Sequence, residues 1–159
     1  MKETVIETKV KIYPVAELPE EYKQLDAIVR QAPRRAYAPY SRFHVGAAVL
    51  LENGEIVTGT NQENAAYPSG LCAERVALFY TGSRYPHTPV KAIAIAAETE
   101  GKQVELITPC GACRQVLLET QKRSGQAVHV LLCGPERVYV IEDASTLLPL
   151  SFDGSDLPE

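Results

Sequence analysis

The hydrophobic positions change period early in the chain. Ile6, Thr8, Val10 and Ile12 alternate with Glu7, Lys9 and Lys11, the period of a strand with one wet face, and Pro14 ends the run. This predicts an added edge strand within an N-terminal extension, residues 1–15. From Leu18 the spacing becomes helical: Leu18, Tyr22, Leu25, Ile28, Val29 and Ala32 share one face. Pro19 suits a first turn, and Glu20 and Glu21 suit the positive end of the helix dipole. A helix from about Pro19 to Arg30 is predicted, with Pro33 kinking or restarting the segment Arg34 to Tyr37.

Beyond that point strand and helix patterns interleave. Val45 to Leu51 and Glu55 to Thr60 flank Asn53-Gly54, which predicts antiparallel neighbours joined by a type I′ turn. Val90 to Ala97 is apolar except for Lys91 and reads as a central strand buried on both faces. Glu98 to Ile107 is a polar connection. Val128 to Cys133 and Arg137 to Ile141 are separated only by Gly134-Pro135-Glu136, too short a link for a parallel crossover, so this last pair is antiparallel. Two helical runs complete the pattern. One follows Cys72 through Val76, Phe79 and Tyr80; the other follows Cys110 through Val116, Leu117 and Leu118 and stops near Ser124-Gly125. Ser145 to Phe152 reads as a short helix and tail.

Composition narrows the class. A chain of 159 residues, 45% of them hydrophobic, supports one domain with a substantial core, here residues 16–159. Met1 to Thr8 carries no apolar leader, and no stretch is long enough to span a bilayer, so a soluble, cytoplasmic protein with no membrane partner is expected. Sixteen basic against 20 acidic side chains, net charge -4, argue against nucleic acid as a partner.

The candidate chemistry sits at two helix starts. Pro109-Cys110-Gly111-Ala112-Cys113-Arg114-Gln115 places two thiols in a first turn, where unpaired N–H groups and the helix dipole favour thiolate. Cys72 opens the other helical run and supplies a third sulfur. Three protein ligands plus water is the catalytic arrangement of zinc, whereas a structural site closes with four. Glu74, beside a ligand but free of the metal, is placed to take a proton from that water, as in zinc deaminases. A redox Cys-x-x-Cys pair would leave Cys72 and Glu74 without a role. A closed structural site would need Cys133, which lies in an apolar run and reads as core. His44, His87 and His129 fall outside any ligand motif.

Cys72-Ala73-Glu74-Arg75, the Pro109 to Gln115 block, and Pro39-Tyr40-Ser41-Arg42-Phe43-His44-Val45-Gly46-Ala47-Ala48 together resemble the small cytidine deaminases of nucleoside salvage. The resemblance extends from about Tyr37 to Leu157 and says nothing about the N-terminal extension. It implies a three-layer α/β/α fold, a mixed central sheet with helices on both faces, and one zinc per chain on Cys72, Cys110 and Cys113. It implies hydrolysis of cytidine and deoxycytidine to uridine and deoxyuridine with release of ammonia, Glu74 moving the protons. It places Phe43 and Ala73 against the substrate and makes Asn61 and Glu63 a ribose clamp. Ala65, Tyr67 and Phe152 resemble positions that reach a neighbouring subunit's site, which implies a homotetramer. Arg75, three positions after Cys72, is expected to donate to the sulfurs and offset their charge. Three other classes share enough of this pattern to need testing: a nucleic-acid base deaminase, a deaminase of a nucleoside-like antibiotic, and a noncatalytic zinc-stabilised module.

Overall fold

The computed structural model describes residues 1–157. The apolar periods become β1 (Lys11–Pro14), α1 (Glu20–Val29), β2 (Phe43–Leu51), β3 (Ile56–Thr60), α2 (Ala73–Arg84), β4 (Val90–Thr99), β5 (Lys102–Gln103), α3 (Gly111–Ser124), β6 (His129–Cys133) and β7 (Arg137–Ile141). The strands form one sheet in the order β1-β7-β6-β4-β2-β3, with β5 paired to β4. β4 and β6 are parallel, since α3 occupies the connection between them. The other named strand pairs among the described residues are antiparallel, including β6 with β7.

Alternation along β4 divides the core in two. Ala92, Ala94 and Ala96 face α1 and pack with Leu18, Tyr22, Leu25 and Val29. Ile93 and Ile95 face the other way, toward Ala73, Ala77 and Leu78 of α2 and Leu117 of α3. Helices on both sides of a mixed sheet give the three layers, and period two gives each face its own helices. The two helices that begin at Cys72 and Cys110 therefore share one side. α2 lies very close to the sheet: a Cβ on Gly59 of β3 would meet Ala77 N at 2.5 Å and Ala73 O at 2.8 Å. Only glycine permits that approach, and it fixes the first turn of α2 against β3.

Three local expectations are corrected. The N-terminal strand begins at Lys11 rather than near Ile6. Its partner β7 ends at Ile141, and Lys11 already pairs with Val140, so Ile6 and Thr8 have no ladder to join. The strand ends at Pro14 as expected, the proline tolerated within it because β1 is at the sheet's edge. The Asn53-Gly54 turn is not type I′, which needs positive φ at both residues. Only Gly54 is left-handed, at φ 85°. Gly54 N donates to Leu51 O at 3.0 Å and Leu51 N to Glu55 O at 2.9 Å, enclosing a three-residue loop, while Asn53 Oδ1 accepts from Glu55 N at 3.1 Å. The connection after β4 also contains β5, a short strand folded back on Glu98 and Thr99.

Candidate metal centre and active site

Cys72 is the N-cap of α2 and Cys110 the N-cap of α3; neither side chain caps its helix, so both sulfurs are free to point elsewhere. Cys113 follows in the first turn of α3 and is fully buried. Cys72 and Cys110 Sγ are 3.8 Å apart, Cys110 and Cys113 Sγ 3.5 Å, and all three sulfurs lie within 4.8 Å of one another. Tetrahedral zinc with sulfur at about 2.3 Å needs ligand separations of about 3.8 Å. The trio fits that ion. Cys133 lies apart in the α1 face of the core, as expected of a small hydrophobe.

The thiols ionise unequally. Contact with Cys113 first, then Arg75 and Cys110, pulls Cys72 down to about 5, so it is a thiolate at neutral pH. Cys113 is pushed up, first by its contact with the Cys72 sulfur and then by burial. Arg75 Nη2 donates to Cys72 Sγ at 3.8 Å, the one-face contact expected from their spacing. Exchanging Arg75 for Gln removes one of the groups holding Cys72 low. The expected result, read as thiolate absorbance of the zinc-free protein, is that Cys72 ionises at higher pH, with zinc affinity near neutral pH falling accordingly. An unchanged titration would separate Arg75 from the sulfurs.

Glu74 lies in the first turn of α2 and is 4% exposed. Burial first, and then the adjacent Cys72 thiolate, raise its pKa above the usual carboxylate value. A carboxyl so placed exchanges protons nearer neutrality than a surface glutamate does.

Beside this centre is a cavity of about 540 Å³ that opens to solvent. Among the expected residues, Asn61, Glu63, Tyr67, Cys72 and Arg75 line it. Tyr67 thus faces its own chain's cavity, edge-on to Tyr40 with ring centroids 5.9 Å apart. Ala73 is buried under the helix start. Phe43, Ala65 and Phe152 are not part of the lining, and Phe152 is 63% exposed.

The proposed clamp residues carry internal bonds. Asn61 Oδ1 accepts from Val45 N at 2.8 Å and its Nδ2 donates to Phe43 O at 2.9 Å, leaving one N–H and one lone pair for a ligand. Glu63 accepts from Tyr40 N at 2.9 Å, Ser41 N at 3.3 Å and the Ser41 hydroxyl. About one of its four lone-pair positions remains. Sequence reasoning had given Tyr40, Ser41 and Arg114 no part, although all three stand in the motifs. Arg114 Nε donates to Pro109 O at 2.9 Å and Nη1 to Leu147 O at 3.0 Å, anchoring the approach to Cys110.

A three-layer α/β fold whose three convergent cysteines fit a zinc ion, with a buried carboxyl beside them and an open cavity, is that of a zinc-dependent enzyme. The model of the cytidine and deoxycytidylate deaminase zinc-binding region matches residues 19–128. The chain belongs to that family. It is 41% identical over 139 residues to the cytidine deaminase of Sporosarcina psychrophila, covering 86% of this chain and 95% of that one. With the cytidine deaminase of Mycobacterium tuberculosis strain H37Rv it shares 40% identity over 141 residues, 87% of this chain and 94% of the other. The crystal structure of cytidine deaminase from Burkholderia pseudomallei superposes with a TM-score of 0.69 at 39% identity, covering 82% of this chain and 98% of that chain.

Proposed function

We propose that this chain deaminates cytidine and deoxycytidine to uridine and deoxyuridine as a pyrimidine-salvage enzyme of the cytoplasm. The observation that carries the reading is Glu74: a buried carboxyl with a raised pKa, two residues beyond Cys72, which itself lines a cavity of amide, hydroxyl and carboxylate groups. Zinc on Cys72, Cys110 and Cys113 would supply the Lewis acidity that makes water nucleophilic near neutral pH. Glu74 takes a proton from the attacking water and gives it to N3 of the base. The water oxygen bonds to C4; Glu74 then takes the remaining proton from that new C4 hydroxyl and passes it to the amino group, and the C4–N bond breaks as C4=O forms, releasing ammonia. Asn61 and Glu63 present their remaining hydrogen-bonding sites to sugar hydroxyls. The Glu63 carboxylate, held below its usual range chiefly by the Ser41 hydroxyl, repels a phosphate and favours nucleoside over nucleotide.

Loss of cytidine absorbance on mixing with zinc-loaded protein tests the reading. Turnover of the free nucleoside, with little on its monophosphate or an oligonucleotide, is expected; activity on the oligonucleotide alone would replace it. No described helix is long and apolar enough to cross a membrane, and all four cysteines are free, which supports a reducing compartment.

The homotetramer belongs to the same proposal. One chain leaves the cavity open, while Phe79 and Tyr80 on α2 and Phe152 in the tail remain 52%, 58% and 63% exposed. Assembly through these surfaces would bury them and exclude water from the base. Mixing a Glu74→Gln chain with a Phe152→Ala chain, each nearly inactive, then dissociating and reassembling them should restore activity at sites with both residues intact. No recovery in confirmed mixed oligomers would remove Phe152 from the neighbouring site.

A further inference from the structure

Tyr40 and Ser41, in the turn that leads into β2 at Phe43, form one rim of the cavity. Its geometry is held at some cost: Arg42, which is not glycine, sits at φ 56°. Arg42 N bonds to Ala38 O at 3.0 Å and Thr99 Oγ1 donates to Arg42 O at 3.3 Å, but the interactions on the cavity side converge on Ser41. The Ser41 hydroxyl donates its only proton to Glu63 Oε1 and accepts from Phe43 N at 3.0 Å. The polarity is fixed, because an ionised carboxylate only accepts and a backbone N–H only donates. One hydroxyl therefore joins the carboxylate offered to the sugar and the backbone that places Phe43. Asn61 closes the same frame from the other side through Phe43 O and Val45 N.

We propose that Ser41 is a positioning residue for nucleoside recognition, orienting the Glu63 carboxylate toward a sugar hydroxyl and coupling it to the backbone of Phe43. This rests on the nucleoside reading above. Two of the three bonds to Glu63 come from backbone N–H groups and survive loss of the hydroxyl, so the rim stays folded without Ser41. What is lost is the charge-assisted bond that fixes which carboxylate oxygen faces the cavity. The hydroxyl is also the largest influence holding the Glu63 carboxyl low, so its removal moves that group's ionisation upward in pH.

The experiment compares zinc-loaded wild type, Ser41→Ala and Ser41→Thr on cytidine and its 2′- and 3′-deoxy forms across pH. Ser41→Ala is expected to raise KM for cytidine about tenfold with kcat near wild type, the size of effect for losing a hydrogen bond to a charged group. The penalty that wild type shows for the missing sugar hydroxyl should shrink in that variant. The ionisation of Glu63 itself, followed by NMR of its carboxyl carbon, should move to higher pH. Ser41→Thr, which keeps the hydroxyl at an exposed position, should restore all three. Unchanged KM and discrimination in Ser41→Ala would overturn the inference, and so would an equal loss on all substrates with a lowered melting temperature, which marks loop stability alone. Wild type that leaves cytidine untouched would overturn the nucleoside reading itself, an outcome visible before any variant is compared.

Discussion

Glu74→Gln is expected to keep zinc and melting temperature near wild type while lowering kcat for cytidine roughly 10²- to 10⁴-fold. The amide matches the carboxyl in shape and is neutral, so a site that is 4% exposed loses no volume and gains no buried charge. What disappears is a group that can accept a proton from water and return it to the base. The pH dependence follows from the same burial. In the proposed mechanism Glu74 must be ionised to accept the first proton, and its folded pKa lies above the ordinary value, chiefly through desolvation. Activity therefore falls as pH drops through that raised value, higher than for a surface carboxylate. Residual activity of the variant should lack this limb. Steady-state kinetics with metal analysis of the same samples checks the result, and near-normal turnover at full zinc occupancy would end the proton-transfer role.

Cys110→Ala should lose zinc and thermal stability together. The Cys110 side chain is exposed and adds little packing, so the apo forms of variant and wild type should melt alike. Metal binding then supplies the difference. At free zinc a thousandfold above Kd, binding to the folded chain alone contributes about 4 kcal/mol, on the order of 10 °C in Tm for a protein of this size. The variant should show most of that loss with zinc present and none after chelation. One zinc per chain retained by the variant would overturn the ligand assignment.

The chemical residues were legible because they lie in short, ordered motifs at helix starts. Cys72, Cys110 and Cys113 needed only the rule that a helix N-terminus stabilises thiolate and the count that separates catalytic from structural zinc, whereas the role proposed for Glu74 came from the zinc-deaminase arrangement. The edge strand was legible in kind but displaced, because alternation reports which face of a strand is wet and not how far its partner extends. The Asn53-Gly54 turn was misread for a local reason: the Asn53 side chain bonds Glu55 N and stabilises a right-handed turn with glycine alone left-handed. Ser41 stood in a quoted motif without a role, since nothing in a linear sequence shows that its hydroxyl meets Glu63.

The sequence by itself determined the order of the longer strands and helices, the antiparallel pairing of β6 with β7 and the three sulfurs, all of which follow from local period, short links and residue chemistry. The tertiary structure decided which of them meet. The crossover through α3 made β4 and β6 neighbours and put both zinc-bearing helices on one face, bringing sulfurs 38 residues apart to 3.8 Å. It also bent the rim at Tyr40 and Ser41 onto Glu63, 22 residues away from Ser41, and left Phe152 outside the cavity of its own chain. Contacts between distant segments depend on loop closure and core packing summed over the whole chain, and no local window of residues contains that sum.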